Sequence, residues 1–372
     1  MKNFPSAAAV SRREFLGRIS AATALLTLAQ PAVGQSSTLR KLGVALCGLG
    51  NYARGQLGPA LKLTQNCELR GVVTGSPEKG GAWAEEYGFP AKNIYHYDTM
   101  ARLAENFDID IVYVVTPNAL HAQHVIAAAR AKKHVICEKP MAVSVVECDA
   151  MLAACRVNNV KLSIGYRLQF ERHYDELKRL AREFDWGVFT RMSGGFSFVM
   201  KEPQWRAERK LAGGGPLMDL GIYPVQAACM AAGGAAPVAV MASELPKQRP
   251  EFFRDVEEGI KWTMEFAGGA RGDFATSYND VLNKFRAEAA KGWIELNPAY
   301  SYTGVQAVTH AGPLIIVVPP SQQAVQTDDF ARCVRDDQPT RVPGEMGRRD
   351  MMIIEAIYAS AAQGGKRVEV AV

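Results

Sequence analysis

The strongest constraint on the fold is a regular alternation of apolar runs and helical segments from Lys41 to about Gly165. Each apolar run has the length of a strand, and a segment with helical spacing follows it. The run from Ile109 to Val115 is almost wholly apolar, as expected for a strand that is covered on both faces. The alternation therefore predicts a parallel sheet with helices on both sides.

A glycine-rich turn, Gly48-Leu49-Gly50-Asn51-Tyr52-Ala53, lies at the first junction between strand and helix. This is the context that a dinucleotide-binding fingerprint requires. Gly48 permits the tight turn, Gly50 lets the backbone approach a pyrophosphate, and Ala53 replaces a third glycine where helix and sheet pack closely. The helix start, with Asn51 and Tyr52, would offer amide donors to the phosphates. The alternative is a glycine turn with a purely structural role.

The end of the second predicted strand favours NADP over NAD. A domain that binds NAD usually carries Asp or Glu there, which binds the ribose hydroxyls. This chain has Val73-Thr74-Gly75-Ser76-Pro77-Glu78-Lys79, with no acid at the strand tip. Ser76 can donate to a phosphate and Lys79 can neutralise it. The alternative is that Lys79 is a solvated residue in the first turn of a helix.

The second half of the chain has a different pattern. After a helix expected from Phe170 to Arg182, several strand-like runs alternate apolar and polar residues, which fits an antiparallel sheet with two different faces. The runs are Thr190–Val199, Pro237–Ser243, Gly259–Phe266, Ala270–Tyr278, Phe285–Ala290 and Gly292–Leu296, and helices near Thr327–Arg335 and Arg348–Gln363 close the chain. A length of 372 residues suits two domains. We expect an N-terminal Rossmann domain at residues 35–160, and a domain built on a large, mainly antiparallel open β-sheet with helices at residues 161–372.

Two motifs together predict a proton-transfer site. Cys137-Glu138-Lys139-Pro140 places a lysine at the end of a predicted strand, and Gly213-Gly214-Gly215-Pro216-Leu217-Met218-Asp219-Leu220-Gly221-Ile222-Tyr223 places a carboxylate and a phenol one helical turn apart. An unaided phenol titrates near pH ~10, so it needs a neighbouring cation before it can act as a base near neutrality. We therefore assign Tyr223 as the acid/base, Lys139 as its cation and Asp219 as the orienting carboxylate. The alternatives are a surface lysine and a half-buried core tyrosine.

These motifs, taken in order, resemble the glucose–fructose oxidoreductase branch of the glucose–fructose oxidoreductase/inositol dehydrogenase (Gfo/Idh/MocA) family. The resemblance runs from about Lys41 to the C-terminus and includes Gly165-Tyr166-Arg167 and Gln204-Trp205-Arg206. It implies that the loop from Thr116 to His121 lines the nicotinamide ribose. The further cofactor contacts that it implies are Pro117, Asn118, His121, Glu138, Lys139, Arg167, Trp205 and Arg206. The alternatives are a surface histidine at position 121 and a Trp-Arg pair that only fastens a loop.

The same resemblance implies the substrate class. It points to aldoses that are oxidised at C1 to the lactone, with Lys139 and Tyr223 at the reacting oxygen. Tyr300, Tyr302 and Gln204 could supply the polar and aromatic walls that sugars need. The branch carries a long proline-rich arm before its first strand, whereas only about residues 35–40 stand there in this chain. We therefore expect a homodimer formed through one face of the open sheet rather than an arm-held tetramer.

The N-terminal residues 1–34 predict a twin-arginine export signal, and hence a periplasmic protein. Ser11-Arg12-Arg13-Glu14-Phe15-Leu16 precedes an apolar run, Ile19 to Ala29, which is shorter than the ~20 residues of a membrane span. Ala32-Val33-Gly34 supplies small residues for cleavage. The alternative is an amphipathic leader of another kind.

Composition excludes several other classes of function. The net charge of +5 is small and the basic residues are scattered, so the chain gives no case for a nucleic-acid partner. The seven cysteines contain no C-x-x-C pair, which argues against a disulfide framework and against a zinc site, and we expect no metal. We also expect no membrane anchor.

Export sharpens the expected mechanism, because nicotinamide cofactors should be scarce outside the cytosol. We expect tightly bound NADP that one sugar reduces and a second sugar or carbonyl compound reoxidises. The alternatives are an ordinary NADP-dependent aldose 1-dehydrogenase, an exported NAD(P)-dependent glycosidase and a non-catalytic sensor.

Overall fold

Six parallel strands form the first sheet, in the order β3-β2-β1-β4-β5-β6. The computed structural model describes residues 40–371, so the predicted signal at residues 1–34 lies outside the described residues. The strands are β1 Leu42–Cys47, β2 Cys67–Val73, β3 Ile94–Tyr95, β4 Ile111–Val114, β5 His134–Cys137 and β6 Leu162–Ile164. This strand order is the predicted Rossmann arrangement, and it opens a crevice where the order reverses, beyond the carboxyl ends of β1 and β4.

Helices cover both faces of this sheet. They are α1, a π-helical turn at Ala53–Leu57 that continues as Gly58–Leu61, then α2 Pro77–Tyr87, α3 His121–Arg130 and α4 Val145–Asn158. Successive side chains of β1 point to opposite faces: Val44 and Leu46 join one apolar core, and Ala45 and Cys47 join the other. The two cores explain the almost wholly apolar strands. The sheet includes β6, which begins after residue 160.

Nine strands form the second sheet, in the order β14-β13-β12-β11-β7-β10-β9-β8-β15. Its strands are β7 Phe189–Ser197, β8 Ala239–Glu244, β9 Gly259–Glu265, β10 Arg271–Ser277, β11 Leu282–Ala289, β12 Gly292–Leu296, β13 Ala307–Thr309, β14 Gly312–Leu314 and β15 Val368–Glu369. The pairing of β7 with β10 is parallel, and the other pairings are antiparallel, so the sheet is mainly antiparallel as predicted. Its helices are α5 Arg172–Glu183, α6 Arg209–Ala212, α7 Ile222–Ala231 after a π-helical turn at Leu217–Gly221, α8 Gln322–Arg335 and α9 Gly344–Ala362.

Helix α8 returns from the second sheet to the first. The carboxylate of Asp328 accepts hydrogen bonds from the backbone N–H groups of Gln65 and Asn66, at 2.8 to 3.0 Å. Phe330 of the same helix is 1% exposed and belongs to the core that contains Val44. The two sheets are therefore fastened together by a helix that follows the last long strand, as well as by the connection after β6.

The seven cysteines are all buried free thiols. Among residues 40–371, no helix is long and apolar enough to cross a membrane. Within the same range, no three His, Cys, Asp or Glu side chains are grouped so as to hold a metal ion.

Candidate active site

A cavity of about 590 Å³ lies where the carboxyl ends of the first sheet meet residues of the second half of the chain. Most of the predicted site residues line it. Those that follow strands of the first sheet are Tyr52, Asn118, His121, Glu138 and Lys139, and those from later segments are Arg167, Trp205, Arg206, Asp219 and Tyr223. The structure therefore brings together the two motifs that the sequence singled out.

The glycine turn has the geometry that a dinucleotide needs. Gly48 has φ +105°, a left-handed conformation, and a side-chain carbon there would lie 3.0 Å from the carbonyl oxygen of Val115. A side-chain carbon on Gly50 would meet nothing within 4 Å, so the backbone there is open to an approaching phosphate. Ala53 is completely buried under the sheet, as expected for a small residue at a close contact. Asn51, between them, is exposed. The turn fits a pyrophosphate.

The end of β2 leads into a capped helix. The Thr74 hydroxyl accepts from the Ser76 backbone N–H at 3.1 Å, and the Ser76 hydroxyl accepts from the Lys79 N–H at 3.3 Å. As an acceptor in this cap, Ser76 keeps its own O–H to donate. Lys79 is exposed in the first turn of α2. This arrangement fits a phosphate group at the start of the helix.

Asp219 is the centre of a buried charge network. The Lys139 ammonium donates to its backbone oxygen at 2.8 Å and to Oδ1 at 3.3 Å. Its Oδ2 lies 3.1 Å from Nε of Arg206 and accepts from the Tyr278 hydroxyl at 3.1 Å. Burial opposes ionisation of this carboxyl, but Lys139 and Arg206 outweigh burial and hold its pKa below the usual range. Asp219 therefore stays a carboxylate that fixes two cations.

Tyr223 receives its hydrogen bond from Arg167 rather than from Lys139. Nε of Arg167 donates to the phenolic oxygen at 3.3 Å, whereas the Lys139 ammonium lies 4.9 Å from the ring centroid. The Arg167 guanidinium also lies 4.9 Å from that centroid. Arg167 is 2% exposed, and the phenol is thus flanked by two cations. The resemblance implied a cofactor contact for Arg167, and the structure adds a direct contact with the proposed base.

The loop at Thr116–His121 is held by bonds to the rest of the chain. Both ring nitrogens of His121 lie near backbone oxygens, Nδ1 at 2.9 Å from Pro140 and Nε2 at 2.8 Å from Thr116. The Asn118 amide donates to the carbonyl of Ala212 at 2.9 Å. Pro117, half-buried, precedes this asparagine. Burial lowers the pKa of His121. His121 and Asn118 therefore fix the loop around the cavity, beyond any contact with a cofactor.

Glu138 is buried beside Lys139. Its carboxyl accepts from the Tyr113 hydroxyl at 2.8 Å and from the backbone N–H of Lys139 at 3.2 Å. Burial raises the pKa of Glu138, and the Lys139 charge opposes this rise. The carboxyl thus anchors the end of β5, where Lys139 leaves the strand.

Five further predicted residues take different positions. The Arg206 guanidinium lies 4.5 Å from the ring centroid of Trp205, so the two side chains pack on each other at the cavity wall. Of the predicted sugar walls, Tyr300 is 1% exposed and Tyr302 is 42% exposed, and both line the cavity. Gln204 is exposed and accepts weakly from Arg206 at 3.4 Å.

A buried glutamate explains the glycine run before Asp219. The Glu257 carboxyl is 1% exposed and accepts from the backbone N–H groups of Gly215 at 3.0 Å and Leu217 at 3.1 Å. It also accepts from the Tyr358 hydroxyl at 2.9 Å. A side-chain carbon on Gly214 would lie 2.1 Å from that hydroxyl, and one on Gly215 would lie 2.2 Å from the Glu257 carbonyl oxygen. The glycines therefore let the backbone before the π-helical turn that carries Asp219 pack directly against Glu257.

Sequence reasoning missed Glu257, Tyr278 and Tyr113 as parts of the site. Tyr278 was expected only as the last residue of a strand, and Glu257 precedes β9 with no motif around it. The signal that could have directed attention to Glu257 is the glycine run itself, because three successive glycines at a helix start require a close neighbour.

Family models match two parts of the chain. A model described as an oxidoreductase family with an NAD-binding Rossmann fold matches residues 42–166, and a model of the GFO/IDH/MocA C-terminal domain matches residues 174–295. The first range spans the six strands of the first sheet, and the second spans β7 to β11 and most of β12 of the second sheet.

Individual proteins match over most of the length. The crystal structure of an aldose-aldose oxidoreductase from Caulobacter crescentus, complexed with glycerol, is 40% identical and has a TM-score of 0.85, covering 89% of this chain and 100% of that one. A D-xylose 1-dehydrogenase [NADP(+)] from Haloarcula marismortui is 28% identical over 341 residues, 88% of this chain and 93% of its own. A levoglucosan dehydrogenase structure with NADH and levoglucosan is 22% identical with a TM-score of 0.74, covers 90% of this chain and 100% of that one, and shares the fold.

Proposed function

Because the chain belongs to the GFO/IDH/MocA family of oxidoreductases, we propose that it oxidises an aldose at C1 to the lactone and returns the electrons to a second sugar through permanently bound NADP. The family resemblance noted in the sequence is confirmed by the two matching models. The observed fold agrees with this family, because a Rossmann sheet is joined to a large open sheet.

One observation carries the proposal: the Tyr223 hydroxyl, the Lys139 ammonium and Tyr52 of the glycine turn line one cavity. Oxidation of a sugar at C1 needs a base for the hydroxyl proton close to a dinucleotide site. A phenol with an Arg167 hydrogen bond and a lysine alongside supplies that base. The retention of both Lys139 and Tyr223 argues against a non-catalytic sensor.

The residues divide the chemistry as follows. NADP, when bound, would supply the acceptor for the hydrogen that leaves C1 with its electron pair. Tyr223 takes the proton of the C1 hydroxyl, so that the sugar loses a proton and a hydride in total and becomes the lactone. Lys139 stabilises negative charge on the sugar oxygen, and Asp219 holds Lys139 in place. In the second half-reaction Tyr223 returns the proton to the carbonyl oxygen of the acceptor.

The geometry at the end of β2 supports NADP as the cofactor. No acid stands at the strand tip, the Ser76 O–H can donate, and the exposed Lys79 lies in the first turn of α2. The name of the Haloarcula relative, a dehydrogenase for NADP, supports the same choice.

Recycling in place is supported by the predicted export signal. A periplasmic enzyme that released NADPH after each turnover would stop for lack of fresh cofactor. The Caulobacter neighbour, described as an aldose-aldose oxidoreductase, favours a second aldose over fructose as the acceptor. We keep the periplasm as the proposed location, together with a homodimer formed through the exposed face of the second sheet that carries Lys261, Arg271 and Asp273. Light scattering during size-exclusion chromatography of the purified protein measures its molar mass and so tests the dimer.

The decisive experiment follows the bound cofactor directly. The mature protein is purified without added nucleotide, and its reduced-nicotinamide absorbance is recorded while an aldose and then a second carbonyl compound are added. We expect a band that rises to one equivalent per subunit and is then bleached. The matched Tyr223→Phe variant should carry the same NADP and give no band on the same timescale. A wild-type protein without nucleotide, active only with free NADP, would overturn recycling in place.

A second candidate, an ordinary NADP-dependent aldose 1-dehydrogenase, is favoured by the Haloarcula D-xylose 1-dehydrogenase. It uses the same site and differs only in releasing NADPH. The same experiment separates the two, because only the recycling enzyme bleaches its band without exchange of nucleotide.

A further inference from the structure

A pair of tyrosines spans the cavity between the two halves of the chain. Tyr52 belongs to the glycine turn, and Tyr302 lies between β12 and β13 of the second sheet. Their ring centroids are 5.8 Å apart and their planes are inclined by 38°. The two rings line the cavity together, and Tyr302 is 42% exposed.

The segment that carries Tyr302 is held firmly. Arg167 donates to the carbonyl oxygens of Tyr300 and Ser301, the latter at 3.0 Å. The Arg167 guanidinium lies 4.5 Å from the Tyr302 ring centroid, close enough for a cation–π interaction. Asn283 accepts from the backbone N–H of Tyr300 at 2.7 Å. The ring of Tyr302 is therefore presented by a fixed backbone.

Helix α8 holds both halves of the pair. Its Gln322 accepts from Arg167 at 2.6 Å and donates to the Ser301 carbonyl at 3.3 Å. The next residue, Gln323, donates to the Tyr52 hydroxyl at 3.4 Å. One helix thus sets the distance between the glycine turn and the Tyr302 segment.

We propose that Tyr52 and Tyr302 form a clasp that slows the release of NADP. The glycine turn fits the pyrophosphate, and Tyr52 of that turn is one half of the ring pair. A dinucleotide seated on the turn is therefore bordered by the ring contact, and the contact has to loosen before the nucleotide can leave. The inference rests on the proposed function only in taking NADP as the ligand. It assigns retention to the Tyr302 ring, which belongs to the second sheet rather than to the Rossmann domain.

Release of nucleotide tests the clasp independently of turnover. NADPH is loaded onto the wild type, Tyr302→Ala and Tyr302→Phe, and its fluorescence is followed after a chase with excess NADP. We expect at least tenfold faster release from Tyr302→Ala. Tyr302→Phe keeps the ring and should release within about twofold of the wild type. Melting temperatures of the three chains should agree, because the side chain is half-exposed.

Each outcome decides the matter. Equal release from the wild type and Tyr302→Ala overturns the clasp. An unchanged release rate with a raised KM for the aldose also overturns it, and assigns Tyr302 to the sugar wall instead. The wild type could also be purified without nucleotide while Tyr302→Ala still releases added NADPH faster. That result supports the clasp and refutes permanently bound NADP, so a failure of the clasp and a failure of the proposed function can be told apart.

Discussion

Gly215→Ala should both destabilise the protein and slow its chemistry, because the methyl group has no room. The added carbon would lie 2.2 Å from the carbonyl oxygen of Glu257, where side-chain carbons stay beyond 3.0 Å, so one partner must yield by roughly 0.8 Å. The obstacle is backbone and cannot rotate away. Overpacking of this kind costs about 1–3 kcal/mol. Displacement of the Gly215 N–H from the Glu257 carboxyl, now 3.0 Å away, adds a loss of about 1 kcal/mol.

The same displacement should reach the catalytic groups. Gly215 lies just before the helical segment that carries Asp219 and then Tyr223, and its carbonyl oxygen accepts from the Asp219 N–H at 3.4 Å, so a shift at Gly215 moves both side chains against Lys139. A misplacement of about 1 Å can slow a reaction about 10²-fold. We therefore expect a loss of about 2–4 kcal/mol in the free energy of unfolding and a 10- to 100-fold slower reduction of bound cofactor by aldose.

Gly81→Ala is the matched control. Gly81 is exposed within α2, and a side-chain carbon there meets nothing within 4 Å. Alanine should stabilise this helix by about 0.5–1 kcal/mol and leave the rate unchanged. Urea unfolding gives the stability and stopped-flow absorbance gives the rate. Two results would refute the reasoning: a Gly215→Ala chain as stable as Gly81→Ala, or a destabilised chain that reacts at the wild-type rate.

Three further predictions concern the charged groups. Tyr223→Phe should slow aldose-dependent reduction in single-turnover traces about 10²–10⁴-fold, with cofactor content unchanged; a wild-type rate would remove the tyrosine from the mechanism. Asp219→Asn leaves Lys139 and Arg206 without their counter-charge and should cost about 3–5 kcal/mol in urea unfolding. The pKa of Asp219 is lower in the folded protein than its unfolded value of about 4, so the carboxylate stabilises the fold above that value. This stabilisation is lost as the pH falls through the folded pKa, so the difference in stability between wild type and Asp219→Asn should shrink in acid. A difference that stays constant with pH would contradict the charge network. Lys79→Ala should weaken NADP binding about tenfold in equilibrium titrations and leave NAD binding unchanged, whereas equal weakening of both would contradict the phosphate assignment.

The parts of the site that lie within short motifs could be predicted from the sequence. Gly48, Lys139 and Tyr223 each sit in a local pattern whose spacing fixes their place on a turn, a strand end or a helix. The contact between Arg167 and Tyr223 joins residues 56 positions apart. Nothing local records such a pairing, so the sequence indicated a cofactor contact and the structure shows a bond to the phenol.

The fold, too, could be predicted only where the sequence carries a local pattern. Strands with a clear apolar pattern were predicted, such as β4 from its continuous apolar run and β9 from its alternation of apolar and polar residues. The two-residue strands β3 and β15 are too short to show a period, and they were missed. The helix after β1 begins as the π-helical turn at Ala53–Leu57 and continues as Gly58–Leu61. Pro59 stands near the start of the second part, where its missing N–H costs little.

The return of α8 to the first sheet has a consequence for the order in which the chain can fold during synthesis. Phe330, Ala331 and Cys333 complete an apolar core whose other buried members come from residues 44–136. Until the ribosome has made α8, part of the core of the Rossmann half is therefore exposed to water. A chain stopped at residue 320 should be cut rapidly by protease, and its protection should appear only when α8 has emerged. The nucleotide-binding half is made first, yet it is completed only after eight of the nine strands of the second sheet have been made.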